Sequence, residues 1–541
     1  MQYTCANCEH TFESGDEKPR CPQCLRRHGL LAEDANSKRA EGRASASGEG
    51  ATSRRRLLLG AGIVVLLLGA GVGAYYLLRP KPVDNGPRNV AMGPVSTGTL
   101  RDVARRRGAP ITTVYHTADD AIRALGRTLG REPDGGKVAA AILAAIRRSL
   151  GPKGITVRRP GRPKPGAVLT ASQLYGAMRE KQAVTVYSYE LACLYLAVAR
   201  AAGLHAVLAE IYRHTDRKGP ADPWGHIGYF GVAIYKSAGY SGRPAMVVDP
   251  ARGTLNAAKE FEVLSDLQAV AHGMSLQAIS MAEEQTDVAH AVEKLDASLR
   301  LAPRSATLLA AKGMFLMKSG GVAPALDAFR SARSVREDAP RYLLVALGHL
   351  AKEQAKGGLE RAMSSLDQAI SRDPGYAVAY VMKADILLKQ LRIDEASAQL
   401  DKAQELEPEL IEALLARAMI LIVTKKVEQG IALLKKSVRL DPLDEQARFQ
   451  LWRMLYQLDR LEEAKEAAKG WLASLSQARR AKVTQLMEQF REAFKAYKAR
   501  QAPTAPGGDP YKLKMPGQGG GGFPGSPGTS PFPGQDKDLQ L

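Results

Sequence analysis

The spacing of apolar and polar positions changes several times along the chain, and each change predicts a different kind of element. The run 57–78 holds 22 residues without a charge, enough for a helix of about 33 Å, the thickness of a hydrocarbon core. Within 111–275, helical patterns such as "TADDAIRALGRTLG" give way to strand patterns such as "AVLAEIY", "HIGYFGVAIY" and "AMVVDP". From 285 to 498 only helical periodicity remains. The chain is therefore predicted to be multidomain, with one transmembrane helix, an α+β domain and an all-α array.

Charged residues on either side of 57–78 predict how this helix crosses the membrane. Basic residues are denser before it, at Lys38, Arg39, Arg43, Arg54, Arg55 and Arg56, than after it, at Arg79, Lys81 and Arg88. Because basic flanks stay in the cytoplasm, we expect a single pass through a bacterial inner membrane, with the residues after 79 periplasmic. Gly69 and Gly73 lie four apart, a spacing that lets such helices pair and form a homo-oligomer.

The amino terminus holds four of the five cysteines, arranged as two CxxC knuckles: Cys5, Cys8, Cys21 and Cys24. Four thiolates at this spacing can close a tetrahedral, structural Zn²⁺ site. A segment of this size has almost no core, so the metal would supply most of its folding energy. A disulfide pair is the alternative, and a cytoplasmic location argues against it. Residues 1–28 resemble the short zinc ribbons found at the start of many bacterial membrane proteins.

The carboxyl half repeats with a period of 34 residues, marked by Pro374, Pro408 and Pro442. Small or apolar residues precede each proline at fixed distances, as Ala362, Leu366 and Ala369; Ala396, Leu400 and Ala403; and Gly430, Leu434 and Ser437. Two earlier units fit the same register, with Ala291, Leu295 and Ser298 and with Ala325, Phe329 and Ala332. Small side chains let two helices approach, and proline ends the second helix. The region 285–475 resembles the tetratricopeptide repeat, and 477–498 is predicted to be its capping helix.

This resemblance implies a stacked solenoid whose concave surface holds a protein or peptide partner. A role as a spacer alone is the alternative. The repeats carry no catalytic groups of their own, so any chemistry is expected in the segment 111–275.

In that segment an apolar helix beginning at Ser188 runs into "AVARAAG", one strand begins near His226, and another ends at Asp249. This order resembles the transglutaminase-like branch of papain-fold cysteine enzymes. The resemblance places Ser188 at the position of the nucleophilic cysteine, His226 at the position of the base, and Asp249 at that of the orienting carboxylate. If the strands form a hairpin, its geometry would let His226 and Asp249 meet.

Ser188 leaves two interpretations open. As a nucleophile it needs His226 as a general base, because a hydroxyl does not ionise as a thiol does. As an N-cap it satisfies a free backbone N–H of its own helix. His226 and Asp249 also have structural alternatives, as a buried hydrogen-bonded histidine and as a strand-ending residue. Cys193, in an apolar stretch, is expected to be a core thiol.

Composition supplies the remaining boundaries. Residues 29–56 are predicted to be a flexible linker, 79–110 a basic linker, and the Gly/Pro-rich 499–541 a disordered tail. The net charge is +20, and 79–170 supplies much of it with 18 Lys/Arg against 6 Asp/Glu. This basic stretch is either a solvated linker or an arm attracted to an anionic surface such as lipid headgroups. A nucleic-acid partner is disfavoured, since it requires the opposite membrane orientation.

Together these features predict a membrane-anchored scaffold that binds partners through its repeats and carries an inactive transglutaminase-like domain. The alternative is an amide hydrolase or acyl-transferase that uses Ser188, His226 and Asp249.

Overall fold

A computed structural model describes most of the chain after residue 93. The described residues are 2–5, 11–13, 30–32, 94–151, 154–164, 166–285, 288–352 and 357–501. The chain divides into two compact units, 1–84 and 85–541.

The first unit contains a three-stranded antiparallel sheet with the order β2-β1-β3. Its strands are β1 (Gln2–Cys5), β2 (Thr11–Glu13) and β3 (Leu30–Ala32). Cys5 ends β1, whereas Cys8, Cys21 and Cys24 lie outside the described residues, as does the predicted span 57–78. In the described part of the chain, no helix combines the length and hydrophobicity needed to cross a bilayer, and no group of three metal-ligating side chains comes together. The zinc site and the membrane span stay predictions.

The second unit begins with an α+β region built on one five-stranded antiparallel sheet, of order β10-β6-β7-β8-β9. Its strands are β6 (His205–His214), β7 (Phe230–Tyr235), β8 (Met246–Asp249), β9 (Thr254–Leu255) and β10 (Ala258–Leu264). A parallel pair, β4 (Ile155–Val157) and β5 (Val184–Val186), lies apart from it. The helices of this region are α1 (Thr97–Arg106), α2 (Asp120–Leu129), α3 (Gly135–Arg147), α4 (Ala171–Arg179) and α5 (Ser188–Ala201).

Helix α5 is the centre of this region, because apolar residues surround its axis. Its residues 188–199 are all buried, including Tyr189 and Tyr195. A helix that is apolar on every side must be covered on every side, and α5 packs against α2, α3 and α4 as well as against β6 and β7. Cys193 is fully buried here, and burial raises the pKa of its thiol. The expectation of a core thiol agrees with this placement.

Helix α1 lies inside the stretch 79–110 that was predicted to be a linker. Ser96 caps it by accepting a hydrogen bond from Thr99 N. Leu100 and Ala104, four residues apart, are buried in a cluster that includes Val270. The many charged residues around Leu100 and Ala104 masked the helical spacing of these two apolar residues in the sequence. The helix forms because its single apolar stripe packs against a hydrophobic surface.

The remaining described residues of this unit form an array of antiparallel helix pairs followed by a final helix. The helices are α6 (Asp266–Gln285), α7 (Val288–Leu301), α8 (Ala306–Lys318), α9 (Val322–Val335), α10 (Ala339–Lys352), α11 (Gly358–Arg372), α12 (Ala377–Lys389), α13 (Ile393–Leu406), α14 (Ile411–Val423), α15 (Val427–Leu440), α16 (Glu445–Gln457), α17 (Leu461–Ala473) and α18 (Gln477–Gln501).

The 34-residue period is visible in this packing. Helices α11, α13 and α15 each end two residues before Pro374, Pro408 or Pro442. Every small or apolar position of the predicted register is buried, from Ala291, Leu295 and Ser298 to Gly430, Leu434 and Ser437. The predicted helical repeats are confirmed.

The α+β region and the first repeats share one hydrophobic core. Ile279, Leu295 and Phe315 belong to the same cluster of buried residues as Leu194 and Phe230. The sheet region is therefore joined to the solenoid by packing as well as by the chain.

Candidate functional site

Ser188 stands at the first turn of α5, as predicted, but its contact crosses to the sheet. Its Oγ accepts a hydrogen bond from the backbone N of Phe230 at 3.1 Å, and the residue is only 6% exposed. The helix is capped instead by Glu190, whose carboxylate accepts from Tyr187 N at 2.6 Å. The N-cap interpretation of Ser188 is therefore replaced by a contact that ties the helix to β7.

Glu190 carries more than the cap. It is fully buried and also accepts from Leu169 N at 2.7 Å, while Lys164 Nζ lies 3.3 Å away. Burial raises the pKa of Glu190, and Lys164 and the two backbone N–H groups oppose that rise. The first turn of α5 is thus fixed by a buried carboxylate two residues from Ser188.

Asp249 ends β8, as predicted, and its partner is His214. The His214 Nε2 to Asp249 Oδ2 distance is 3.0 Å, and both side chains are buried. Asp249 Oδ1 accepts from the Tyr229 hydroxyl at 3.2 Å and from Arg252 N at 3.1 Å. The carboxylate therefore meets a histidine, but one from the end of β6.

His226 lies in a turn before β7. Asp222 holds this turn by accepting from the backbone N of Trp224, Ile227 and Gly228 at 3.0, 3.0 and 2.7 Å. The expected hairpin exists, with Val232 opposite Val248. In that register Asp249 lies opposite Gly231, the second residue of β7, and His226 is five residues further back. The structure pairs Asp249 with His214, and the contact of His226 with Asp249 stays a prediction.

The sequence reasoning missed His214. The predicted strand stopped at Tyr212, whereas β6 continues to His214. The usable signal was the segment "IYRH", in which a histidine prolongs an apolar strand before the charged turn "TDRKG".

A second group of buried polar side chains lies where the sheet meets the solenoid. The Thr307 hydroxyl donates to Glu210 at 2.5 Å and accepts from Arg341 Nη2 at 2.9 Å. His272 Nε2 lies 3.8 Å from Glu210. Burial raises the pKa of Glu210 and lowers that of His272 to about 4, so a neutral imidazole beside the carboxyl is favoured. The cluster links one strand and three helices of the fold.

The segment 158–164, "RRPGRPK", joins the α+β region to the far repeats. Arg158 Nη1 lies 2.6 Å from both carboxylate oxygens of Asp441, and both residues are buried. Arg162 Nη2 lies 2.6 Å from Glu412 and 3.2 Å from Asp444. Desolvation lowers the pKa of Arg162, and the acidic residues outweigh it, so the net shift is upward. We call these five residues the arginine clasp.

The acidic partners follow the repeat. Asp373, Glu407 and Asp441 each precede a repeat proline and are spaced by 34. They face Arg213 at 2.9 Å, Arg217 at 3.9 Å and Arg158 at 2.6 Å. One edge of the solenoid is thus lined by equivalent carboxylates that pair with arginines of the α+β region. Arg158 and Arg162 lie in the basic stretch 79–170, and both pair with carboxylates of the repeats. These two residues therefore belong neither to a solvated linker nor to a free arm.

Comparison with known proteins supports the repeats. Residues 354–420 match the family model described as a tetratricopeptide repeat. Yeast Tom70 is 16% identical over 74% of this chain and 70% of its own, with a TM-score of 0.35. TTC0263, a tetratricopeptide protein of Thermus thermophilus, is 20% identical over 34% of this chain and 99% of its own, with a TM-score of 0.31. Comparison with functionally characterised sequences gives no significant match.

The structural likenesses are distant, with TM-scores of 0.31 and 0.35, and no conclusion rests on them. The family match and the buried 34-residue register together establish that the chain carries tetratricopeptide repeats. Repeats of this kind support a protein-interaction scaffold.

Proposed function

We propose that the chain is a membrane-anchored scaffold whose repeats bind a protein or peptide partner and whose transglutaminase-like domain does not turn over a substrate. A zinc ribbon precedes the membrane span, and the residues after 79 lie in the periplasm. The apolar run 57–78 and its basic flank support the anchor, and the four cysteines support the ribbon.

The observation that carries the proposal for the α+β domain is the placement of Ser188. A nucleophilic serine must reach both a substrate and a general base. Ser188 is 6% exposed, and its Oγ contacts Phe230 N. The carboxylate that would orient a base is bound to His214, Tyr229 and Arg252. These contacts suit a residue that holds the helix against the sheet.

A reactivity test separates this function from the alternative hydrolase. The full chain is treated with a fluorophosphonate probe beside Ser188→Ala, and Ser188→Cys is treated with iodoacetamide. We expect no labelling at Ser188 in the native chain. Labelling that disappears in both Ser188→Ala and His226→Ala would instead establish an activated serine and the amide hydrolase or acyl-transferase.

The anchor and the metal need separate measurements. Retention in membranes after an alkaline carbonate wash tests the span, and labelling of a cysteine introduced after residue 79 by an impermeant reagent in whole cells tests the orientation. Metal analysis of the full chain should find one zinc per chain, lost in Cys8→Ser and in Cys21→Ser. Labelling only in opened cells would contradict the periplasmic location.

A further inference from the structure

A cluster of exposed arginines surrounds the carboxyl end of α1, the first helix of the second unit. Arg101, Arg105, Arg106 and Arg107 are all exposed on or just after this helix. The opposite side of the helix is held in place, because Leu100 and Ala104 are buried against α6 and the turn after α7. The arginines are therefore presented on a fixed element.

Two further arginines adjoin them from the first repeat. Arg107 Nη1 donates to Leu301 O at 3.0 Å. A Cβ at Gly108 would lie 3.8 Å from Arg300 Nε, so this side chain runs beside the end of α1. Arg304 follows on the same turn, and both Arg300 and Arg304 are exposed. We call the six residues Arg101, Arg105, Arg106, Arg107, Arg300 and Arg304 the arginine surface.

Few carboxylates offset this charge. Asp102 lies 3.6 Å from Arg105 in an exposed pair. Asp266, where α6 begins, is already engaged by Arg200 at 2.7 Å and by Val95 N at 3.0 Å. Within the part of the chain that the structure describes, Arg106, Arg300 and Arg304 make no ion pair. The favourable placement of cations at a helix carboxyl end accounts for Arg105 and Arg106, but not for Arg304, which lies outside a helix.

We propose that the arginine surface docks on the anionic headgroups of the bilayer, and so fixes the orientation of the solenoid above the membrane. The inference rests on the anchor of the proposed function. The predicted span ends at 78 and the described fold starts at 94, so the fifteen residues between them reach at most about 50 Å. This length lets the first described helix after the predicted span reach the headgroups, where exposed arginines would be attracted to anionic lipid.

A phospholipid surface fits these side chains better than a single small anion does. The six arginines are all exposed and are spread over a helix end and a neighbouring turn, and a guanidinium binds phosphate through parallel N–H groups. A planar array of phosphates can engage several of them at once. Such exposed contacts weaken as salt rises.

The test measures hydrogen–deuterium exchange of the segment 97–110 in the full chain, reconstituted in nanodiscs. The discs contain either phosphatidylcholine alone or equal amounts of phosphatidylcholine and phosphatidylglycerol. We expect several-fold slower exchange of this segment in the anionic discs, reversed at high salt. The double variants R105E/R106E and R300E/R304E should both abolish the difference. The second pair avoids substitution within α1, and circular dichroism confirms folding of both.

A matched control carries the same change of charge on distant helices, in R439E/K469E, and should keep the difference. Equal exchange in both kinds of disc, or protection that survives in both arginine variants, would overturn the docking surface. Binding of an oligonucleotide is measured for the same variants. If they lost this binding but kept the protection by lipid, the arginines would bind nucleic acid, and the lipid proposal would be wrong as well. Failure of the anchor would give a different result. Carbonate would then wash the chain from phosphatidylcholine discs, and its binding to anionic vesicles would still test the arginine surface.

Discussion

Arg158 and Asp441 lie 283 positions apart in the chain, and a single guanidinium nitrogen of Arg158 contacts both oxygens of the Asp441 carboxylate at 2.6 Å. One residue follows a strand of the α+β region, and the other precedes the proline of a late repeat. Together with the ion pairs of Arg162 with Glu412 and Asp444, this pair joins the α+β region to the late repeats. The chain itself therefore already covers this edge of the repeats.

We predict that Arg158→Ala destabilises the full chain by about 3–5 kcal/mol, because it leaves the buried Asp441 carboxylate without its partner. Asp441→Ala should have a similar effect. The double variant R158M/D441L should recover most of the loss, since apolar residues of similar volume replace both charges. The measurement is the free energy of unfolding in denaturant.

The control for the clasp is the exposed pair of Lys402 and Glu405, which are 51% and 65% exposed. Lys402→Ala should change the free energy of unfolding by less than about 1 kcal/mol. If Arg158→Ala lowered the free energy of unfolding no more than Lys402→Ala does, the buried ion pair of the clasp would contribute no more to stability than an exposed pair.

His272 should make the chain sensitive to acid. Burial lowers the pKa of its imidazole in the folded chain to about 4, below its ordinary value of about 6.5. The unfolded chain then binds the proton more readily, so stability is full above pH of about 6.5 and falls as the pH drops towards 4. The loss at the lower end is about 3 kcal/mol, from 1.36 kcal/mol for each pKa unit.

The neighbouring carboxyls act in the opposite direction. Burial raises the pKa of both Glu210 and Glu262, so their ionisation destabilises the folded chain increasingly as the pH rises. A comparison of variants isolates the histidine. His272→Gln should remove most of the decrease between pH 6.5 and 4, whereas His290→Gln, at a side chain 49% exposed, should leave it in place. An unchanged acid response in His272→Gln would exclude this group as its source.

Gly273 allows α6 to pass close to the aromatic side chains beside α5. A Cβ at this position would meet the ring of Tyr115 and lie 2.6 Å from the hydroxyl of Tyr189. Replacing a helical glycine by alanine normally stabilises by about 1 kcal/mol, but overpacking costs about 1–3 kcal/mol. We therefore expect Gly273→Ala to lower the melting temperature.

Gly470 is the matched control, because it lies inside helix α17 with open space around its Cβ position. Gly470→Ala should raise the melting temperature through helix propensity alone. A rise in both variants would mean that the contact between α6 and α5 relaxes without cost.

The repeats could be predicted because their signal is local and recurs. Ala362, Ala396 and Gly430 are buried at the same position of three successive units, so the same packing requirement recurs in the sequence every 34 residues. The contacts that shape the candidate site occur once and join distant segments. Nothing near Asp249 in the chain identifies His214 as its partner, because the choice depends on where β6 ends and where β7 begins.

The arginine clasp could not be predicted from the sequence either, although its residues are conspicuous there. The acids before each proline were visible at a spacing of 34, and the arginines of 158–164 were visible as a basic run. A basic run usually means solvent exposure, and only the folded arrangement shows that Arg158 is buried against Asp441. The sequence contained both halves of the contact without the distance between them.

A double-mutant cycle can decide which histidine acts with Asp249. The 3.0 Å contact between His214 and Asp249 is buried, so the two side chains should be coupled by about 1 kcal/mol or more. The cycle uses His214→Ala, Asp249→Asn and their combination, measured by unfolding in denaturant. The same cycle with His226→Ala is the control, and we expect coupling near zero there, because the turn that holds His226 is organised by Asp222. Strong coupling of His226 and weak coupling of His214 would restore the pair that the sequence predicted, and with it the case for a catalytic arrangement around Ser188.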